Sequence, residues 1–246
     1  MHHPTAAILI IGNEILSGRT QDLNVQFIAK HLSTLGINLK EVRIIPDDEQ
    51  VIIDTVRTLS SQYTTIFTTG GIGATHDDIT AASIAKAFDQ NLILHEGAME
   101  ILSAFYGDRL NAARTRMAMI PEGAQLITNP LSAAPGFKIG NVFCMAGIPS
   151  VMQRMFEHVV PQLPSGPKFF SQTIHCSVLE NNLADALAEI QTQFSSVDIG
   201  SYPRYTPAGE YTLSLVIRGI DKEQIHKAGE EILDLIRQHG EEAVVE

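Results

Sequence analysis

Cysteine is scarce in this chain: Cys144 and Cys176 are the only two among 246 residues. Two are too few for the disulfide framework of a small secreted domain. Both sit in apolar, strand-like runs, where free cysteines are usually buried. Basic residues are few as well. Lys and Arg number 17 against 28 Asp and Glu, a formal net charge of −11. That balance disfavours a general nucleic-acid groove or an anionic membrane surface, since both call for a positive field. An anionic small ligand stays compatible where local dipoles, a few cations or a bound metal reverse the field. No apolar run approaches the ~18–20 residues of a membrane span. Met1-His2-His3-Pro4-Thr5 lacks the basic start of a secretory signal. The expectation is a cytoplasmic enzyme or binding protein, without nucleic-acid or membrane partners.

Hydrophobic residues make up 44% of the chain and charged residues 18%, an ordinary globular mix. The length suits one large domain plus a small one. Over the first two-thirds, short β-rich runs alternate with helical patterns. Ala6–Ile11, Leu39–Ile45, Thr65–Thr69 and Val142–Met145 read as strands, the first apolar on both faces as a central parallel strand should be. Asn24–Leu35, Glu49–Leu59, Ile79–Phe88, Glu96–Leu110 and Ser150–Leu163 read as helices. The alternation implies a mostly parallel sheet covered by helices on both sides, a three-layer α/β sandwich over residues 1–165. Leu163-Pro164-Ser165-Gly166-Pro167 breaks the pattern. Residues 168–246 then run strand, helix, strand, strand, helix, which predicts a small α+β domain for packing or oligomerisation.

In open α/β sheets ligands bind beyond the carboxyl ends of the strands. The first strand leads into Gly12-Asn13-Glu14-Ile15-Leu16-Ser17-Gly18, where two glycines bracket a Glu and a Ser. The second ends in Asp47-Asp48-Glu49. One of these acids is expected to cap the next helix, while Asp47, nearest the strand, can point into a cleft. The third leads into Thr69-Gly70-Gly71-Ile72-Gly73-Ala74-Thr75-His76-Asp77-Asp78-Ile79-Thr80. Three glycines in four positions before a helix make an anion nest, because glycine can turn successive N–H groups toward one point. No Gly-Lys-Ser/Thr follows, so this is not a Walker A loop. Asp77 or Asp78 can cap the following helix through the Asp-x-Thr spacing. Beside a phosphate nest, two acids instead require a cation, and Mg²⁺ held by carboxylates together with substrate phosphates supplies it. Ala134-Pro135-Gly136-Phe137 and Ala146-Gly147-Ile148-Pro149-Ser150 are two further turns near the strand ends. Arg114 and Arg116 suit phosphate binding or a solvated helix face equally.

In this order the motifs resemble the molybdopterin-binding (MoaB/MogA/CinA) domain family over about residues 5–165. Within it they are most similar to the CinA amino-terminal domain and to the corresponding domain of FAD synthases. Gly200-Ser201-Tyr202-Pro203 is similar to a segment of the small domain that follows in CinA-type proteins. Ala74 and Ala146 stand where the family usually has proline, which removes no chemical group. The resemblance implies a homo-oligomer and a metal-dependent pyrophosphatase acting on an ADP-ribose- or FAD-like dinucleotide. Its alternatives are a non-catalytic molybdopterin-binding protein and a molybdenum-cofactor biosynthesis transferase. It implies Asp47 and Asp78 as catalytic, metal-holding acids, with Mg²⁺, or Mn²⁺ or Co²⁺ in its place. Gly12, Glu14, Gly18, Thr69, Gly70, Gly71, Gly73, Thr75, Asp77, Thr80, Pro135, Gly136, Gly147, Pro149 and Ser150 are the expected contacts to the ligand or its phosphates.

Overall fold

A computed structural model describes residues 3–207 and 209–246 of the chain. They form two compact units, Met1–Gly166 and Pro167–Glu246. In the first, β1 (Thr5–Ile11) is followed by the short α1 (Asn13–Leu16) and by α2 (Asn24–Thr34). Then come β2 (Asn38–Ile45), α3 (Glu49–Gln62), β3 (Thr65–Thr69) and α4 (Thr80–Ala87). The middle of the unit holds β4 (Leu92–Leu94), α5 (Glu96–Tyr106), α6 (Ala112–Thr115), β5 (Met119–Pro121) and β6 (Gln125–Ile127). It closes with β7 (Gly136–Ile139), β8 (Val142–Met145) and α7 (Pro149–Val159).

Six strands make one sheet in the order β2-β1-β3-β8-β7-β6. The pairs β1–β2, β1–β3 and β3–β8 are parallel, whereas β7 pairs antiparallel with both β8 and β6. The sheet is therefore mixed, with the expected parallel strands at one side. Side chains alternate along β1 into two cores, as the two-residue strand period dictates. Ala7, Leu9 and Ile11 pack with Ile52, Val56 and Leu59 of α3, Ile84 of α4 and Leu102 of α5. Ala6, Ile8 and Ile10 pack with Ile28 and Leu32 of α2 and with Met152, Met155 and Phe156 of α7. Helices thus cover both faces, which is the expected three-layer arrangement.

Two readings needed correction. The helix expected over Glu96–Leu110 stops at Tyr106; a 3-10 turn at Gly107–Arg109 and the separate α6 follow. The connection to β8 also carries β4 and β5, paired antiparallel as a small second sheet, and β6. Each of these strands is three residues long, too short to show a period.

The second unit has β9 (Phe170–Cys176), α8 (Glu180–Gln193), β10 (Val197–Tyr205), β11 (Tyr211–Gly219), α9 (Lys222–Gln238) and β12 (Val244–Val245). Its sheet, β10-β11-β9-β12, is antiparallel throughout. Leu213, Leu215 and Ile217 alternate inward along β11 against Leu183 and Ile190 of α8 and Ile225 and Ile232 of α9. This is a two-layer α+β unit with its own core.

Candidate functional site

The parallel strands β1, β3 and β8 end side by side, and their loops are drawn close together. Gly70, directly after β3, donates its N–H to the Met145 carbonyl at the end of β8 (3.2 Å). It has φ 103°, and a Cβ there would collide with the Ile11 carbonyl at the end of β1. Gly71 (φ 66°) would collide likewise with the Thr80 hydroxyl. Only glycine lets three strand ends converge so tightly, because the left-handed backbone and the missing side chain are both needed. Thr80, fully buried, fastens the turn: its hydroxyl donates to the Gly70 carbonyl (3.0 Å) and its N–H to the Gly71 carbonyl (3.0 Å).

Above these strand ends lies a cavity of about 470 Å³, within the ~300–1,000 Å³ usual for small-molecule sites. Gly70, Gly71, Gly73, Gly147 and Pro149 line it, and two carboxylates, Glu14 and Asp78, face it from different loops. Ile72, Met117, Ile148 and Val151 supply an apolar wall, and Thr20, Asn129 and Ser132 a polar one. Among the described residues the N–H groups of Gly71, Ile72 and Gly73 meet no protein acceptor. The cavity also takes in the start of α7, whose N-cap, Ile148, offers no side-chain hydrogen bond. Unspent N–H groups and an uncapped helix start favour a negative group there.

Asp78 does not cap α4, which has no side-chain cap. One of its oxygens, Oδ2, accepts from the Thr75 N–H (2.8 Å) and the Thr75 hydroxyl (2.5 Å), closing the loop over Gly73. His76 is almost wholly exposed.

Asp47 is not on the cavity wall. Its Oδ2 accepts from the Asn13 N–H (2.9 Å), bracing the α1 turn that carries Glu14. Helix capping in that loop falls to Asp48, which accepts from the Val51 N–H. Glu14 folds back so that its carboxylate lies about 2.6 Å from where a Gly12 Cβ would stand. The structure thus brings Glu14 and Asp78 to one cavity and sets Asp47 beside Asn13.

Other expected contacts have structural positions. Thr80 is a clamp, and Gly136 is buried where a Cβ would strike the Cys144 carbonyl. Thr69 and Pro135 border smaller clefts beside the cavity. Gly12, Gly18 and Ser150 are absent from the residues lining these clefts and the cavity. Asn129 was missed: buried, it donates to Ser132 Oγ (2.7 Å) and the Ala134 carbonyl (2.8 Å) and accepts from the Leu131 and Ser132 N–H groups. The Asn129-Pro130 turn ahead of Ala134-Pro135 was the available signal. Arg116 was also left undecided. Its Nη2 donates to the Ala74 carbonyl (2.6 Å), and it lines a cleft with Asp78.

Among the described residues no group of three or more His, Cys, Asp or Glu side chains is placed to hold a metal ion. A resident metal in an all-protein cage therefore does not fit. Two carboxylates on a wall with free N–H groups do suit a Mg²⁺ that arrives bound to a diphosphate, since Mg²⁺ is usually held by one or two carboxylates plus substrate phosphates.

Residues 7–165 match the family described as "Probable molybdopterin binding domain". The chain belongs to this molybdopterin-binding-domain family. Residues 168–244 match the family described as "FAD synthase, middle domain". A protein of Archaeoglobus fulgidus is 34% identical over 93% of this chain and 96% of its own length. A "Probable FAD synthase" of Caenorhabditis briggsae is 30% identical over 81% of this chain, which spans only 43% of that protein. Among solved structures, the protein CinA from Thermoplasma acidophilum matches at 30% identity and TM-score 0.62, covering 65% of this chain and 99% of that one. The molybdopterin-binding-domain unit is thus CinA-like in sequence and fold. No helix among the described residues is long and apolar enough to cross a membrane.

Proposed function

We propose that this chain hydrolyses the diphosphate link of an ADP-ribose- or FAD-like dinucleotide in the cavity above β1, β3 and β8. One observation carries the reading: residues whose N–H groups lack acceptors and two carboxylates from different loops line the same cavity. The N–H groups of Gly71, Ile72 and Gly73 and the start of α7 would bind the diphosphate oxygens. Asp78 would share a divalent cation with them, and Glu14 faces the same space from the β1 loop. Asp47 orders that loop through Asn13. The cation would neutralise charge on the diphosphate. The apolar wall of Ile72, Met117, Ile148 and Val151 suits a flat ring system. A pterin would use that wall as well, so the second reading is a molybdopterin carrier, which would bind pterin tightly and turn nothing over.

The test is a screen of FAD, ADP-ribose and NAD with Mg²⁺, Mn²⁺ or Co²⁺, read as released mononucleotide. Hydrolysis is expected with at least one pair and should stop on chelation. Asp78→Asn should cut the rate by about 10²-fold or more, the size seen when one charge-stabilising group is lost. It should fold normally, because the amide oxygen can still accept from Thr75. Equal rates for this variant and the parent would remove Asp78 from the reaction.

A further inference from the structure

Residues 73–78, the loop that brings Asp78 to the cavity, have little of their own to hold them in place. Ile72 and Ile79, on either side, pack against the core, but no side chain between them joins one. Gly73, Thr75, His76 and Asp77 are exposed. The loop's own hydrogen bonds are local. Thr75 donates twice to the Asp78 carboxylate, the Asp78 N–H donates back to the Thr75 carbonyl (3.4 Å), and the Ile79 N–H donates to the Asp77 carbonyl (2.9 Å). Such bonds shape a turn without fixing where the turn sits. Among the described residues one bond reaches the loop from a distant part of the chain: Arg116 Nη2 donates to the Ala74 carbonyl (2.6 Å), across 42 positions.

Arg116 has a firm base for such a tether. It opens the 3-10 turn Arg116–Ala118, in which Met117 packs against the core and Ala118 is fully buried. The Ala118 carbonyl also accepts from the His95 N–H ahead of α5 (2.9 Å). A guanidinium donor makes a charge-assisted bond, roughly twice as strong as a neutral one. Arg116 forms no ion pair among the described residues, so the Ala74 bond is the one polar contact its side chain makes there. It is also the one Lys or Arg that lines the cavity or either cleft beside it, and its cleft includes Gly73, Thr75 and Asp78. We propose that Arg116 is a positioning residue: by tethering Ala74 it sets residues 73–78, and with them the Asp78 carboxylate, where the cation on the diphosphate needs it. This rests on the hydrolytic reading above. Without the tether, the Gly71 and Ile72 N–H groups and the start of α7 would still bind the dinucleotide, while Asp78 would lose its place. A misplacement of about 1 Å can cost ~10²-fold in rate.

The experiment compares Arg116→Met, Arg116→Lys and Arg114→Met with the parent chain, each with the dinucleotide and metal found active. Arg116→Met keeps an apolar stem and Arg116→Lys keeps a charged donor. Arg114→Met is the control for lost charge, because the Arg114 guanidinium bonds the Arg109 carbonyl and lies over the Tyr106 ring instead of reaching the loop. The expected result is a loss of tenfold or more in kcat for Arg116→Met with KM within threefold. Arg116→Lys and Arg114→Met should stay within threefold of the parent in both. Added to Asp78→Asn, Arg116→Met should cost less than twofold more, since residues that act as a unit are not additive. Cleavage before Asp77 by an Asp-specific protease, read by mass spectrometry without ligand, should quicken threefold or more in Arg116→Met alone. Thermal melting checks folding; if Arg116→Met does not fold, Arg116→Ala takes its place. A folded variant without the guanidinium that keeps the parental kcat or the parental cleavage rate would overturn the proposal. So would Arg116→Lys as slow as Arg116→Met, or a loss in the Asp78→Asn background equal to that in the parent, which would mean that Arg116 does not act through Asp78. If the parent chain hydrolyses no dinucleotide at all, the functional reading fails first and this proposal falls with it.

Discussion

Asp47, just beyond β2, and Asp78, at the α4 end of the loop that follows β3, are the same residue type, yet they do different work. Asp78 takes two hydrogen bonds from Thr75 on one oxygen and faces the cavity. Asp47 is held to Asn13 and acts on the site through the turn bearing Glu14. At the same scale, Cys144 lies under the strand ends, fully buried in β8. Burial pushes its thiol up to about 12 from 9.0. A thiolate is the reactive form, so Cys144 should resist thiol reagents at pH 8 in the native protein and react once denaturant is added. The sign of its pH effect follows. With the folded value above the unfolded one, its contribution to stability is complete below pH 9 and is lost as pH rises toward 12. Denaturant midpoints measured at pH 8, 10 and 11 should therefore fall across the series.

The start of α7 behaves as an element rather than as a residue. Ile148 occupies the N-cap with extended backbone angles; its carbonyl accepts from the Val151 (3.0 Å) and Met152 (2.8 Å) N–H groups, its side chain makes no cap bond, and it is 64% exposed at the cavity. A side chain that accepts from the helix N–H groups would stabilise the helix by about 1 kcal/mol. Pro149 has no N–H and the Val151 N–H already donates to the Ile148 carbonyl (3.0 Å), so the apolar cap leaves the Ser150 N–H and the helix dipole for a ligand. Ile148→Asp should accordingly raise the melting temperature by about 2–4 °C. The same substitution should weaken binding of an anionic ligand by about fivefold or more, since a charge placed at that end repels another at about 1 kcal/mol even in water. Calorimetry for stability and titration of the dinucleotide for affinity would check the two halves. A gain in both would show that no anion uses this helix start.

Across the whole molecule the cores are separate. The two clusters that flank the six-stranded sheet draw only on the first unit, and the third cluster only on the second. Every residue lining the 470 Å³ cavity belongs to the first unit. The solved CinA that matches so well spans 65% of this chain and is itself covered to 99%. A chain ending at Gly166 should therefore fold cooperatively and bind the ligand as the full chain does. Heat denaturation and ligand titration of that fragment would test it, and loss of binding in a folded fragment would assign part of the site to residues beyond Gly166.

The apolar periods, the two-faced strand Ala6–Ile11 and the glycine-rich strand ends were enough by themselves to predict parallel strands, helices on both faces and a ligand site at their carboxyl ends. Those signals are local, because a strand buried on both sides must be apolar on both and a tight turn must use glycine. Three things were decided only in three dimensions. Glu14, rather than Asp47, shares the cavity with Asp78, because a turn of four residues and one hydrogen bond to Asn13 set which acid faces inward. Thr80 became a clamp and Asn129 a wall, since neither role follows from neighbours in sequence. Asn24 and Thr69, 45 positions apart, each bury a side-chain oxygen that has no hydrogen-bond partner among the described residues. Whether a polar group is satisfied depends on what the fold brings to it.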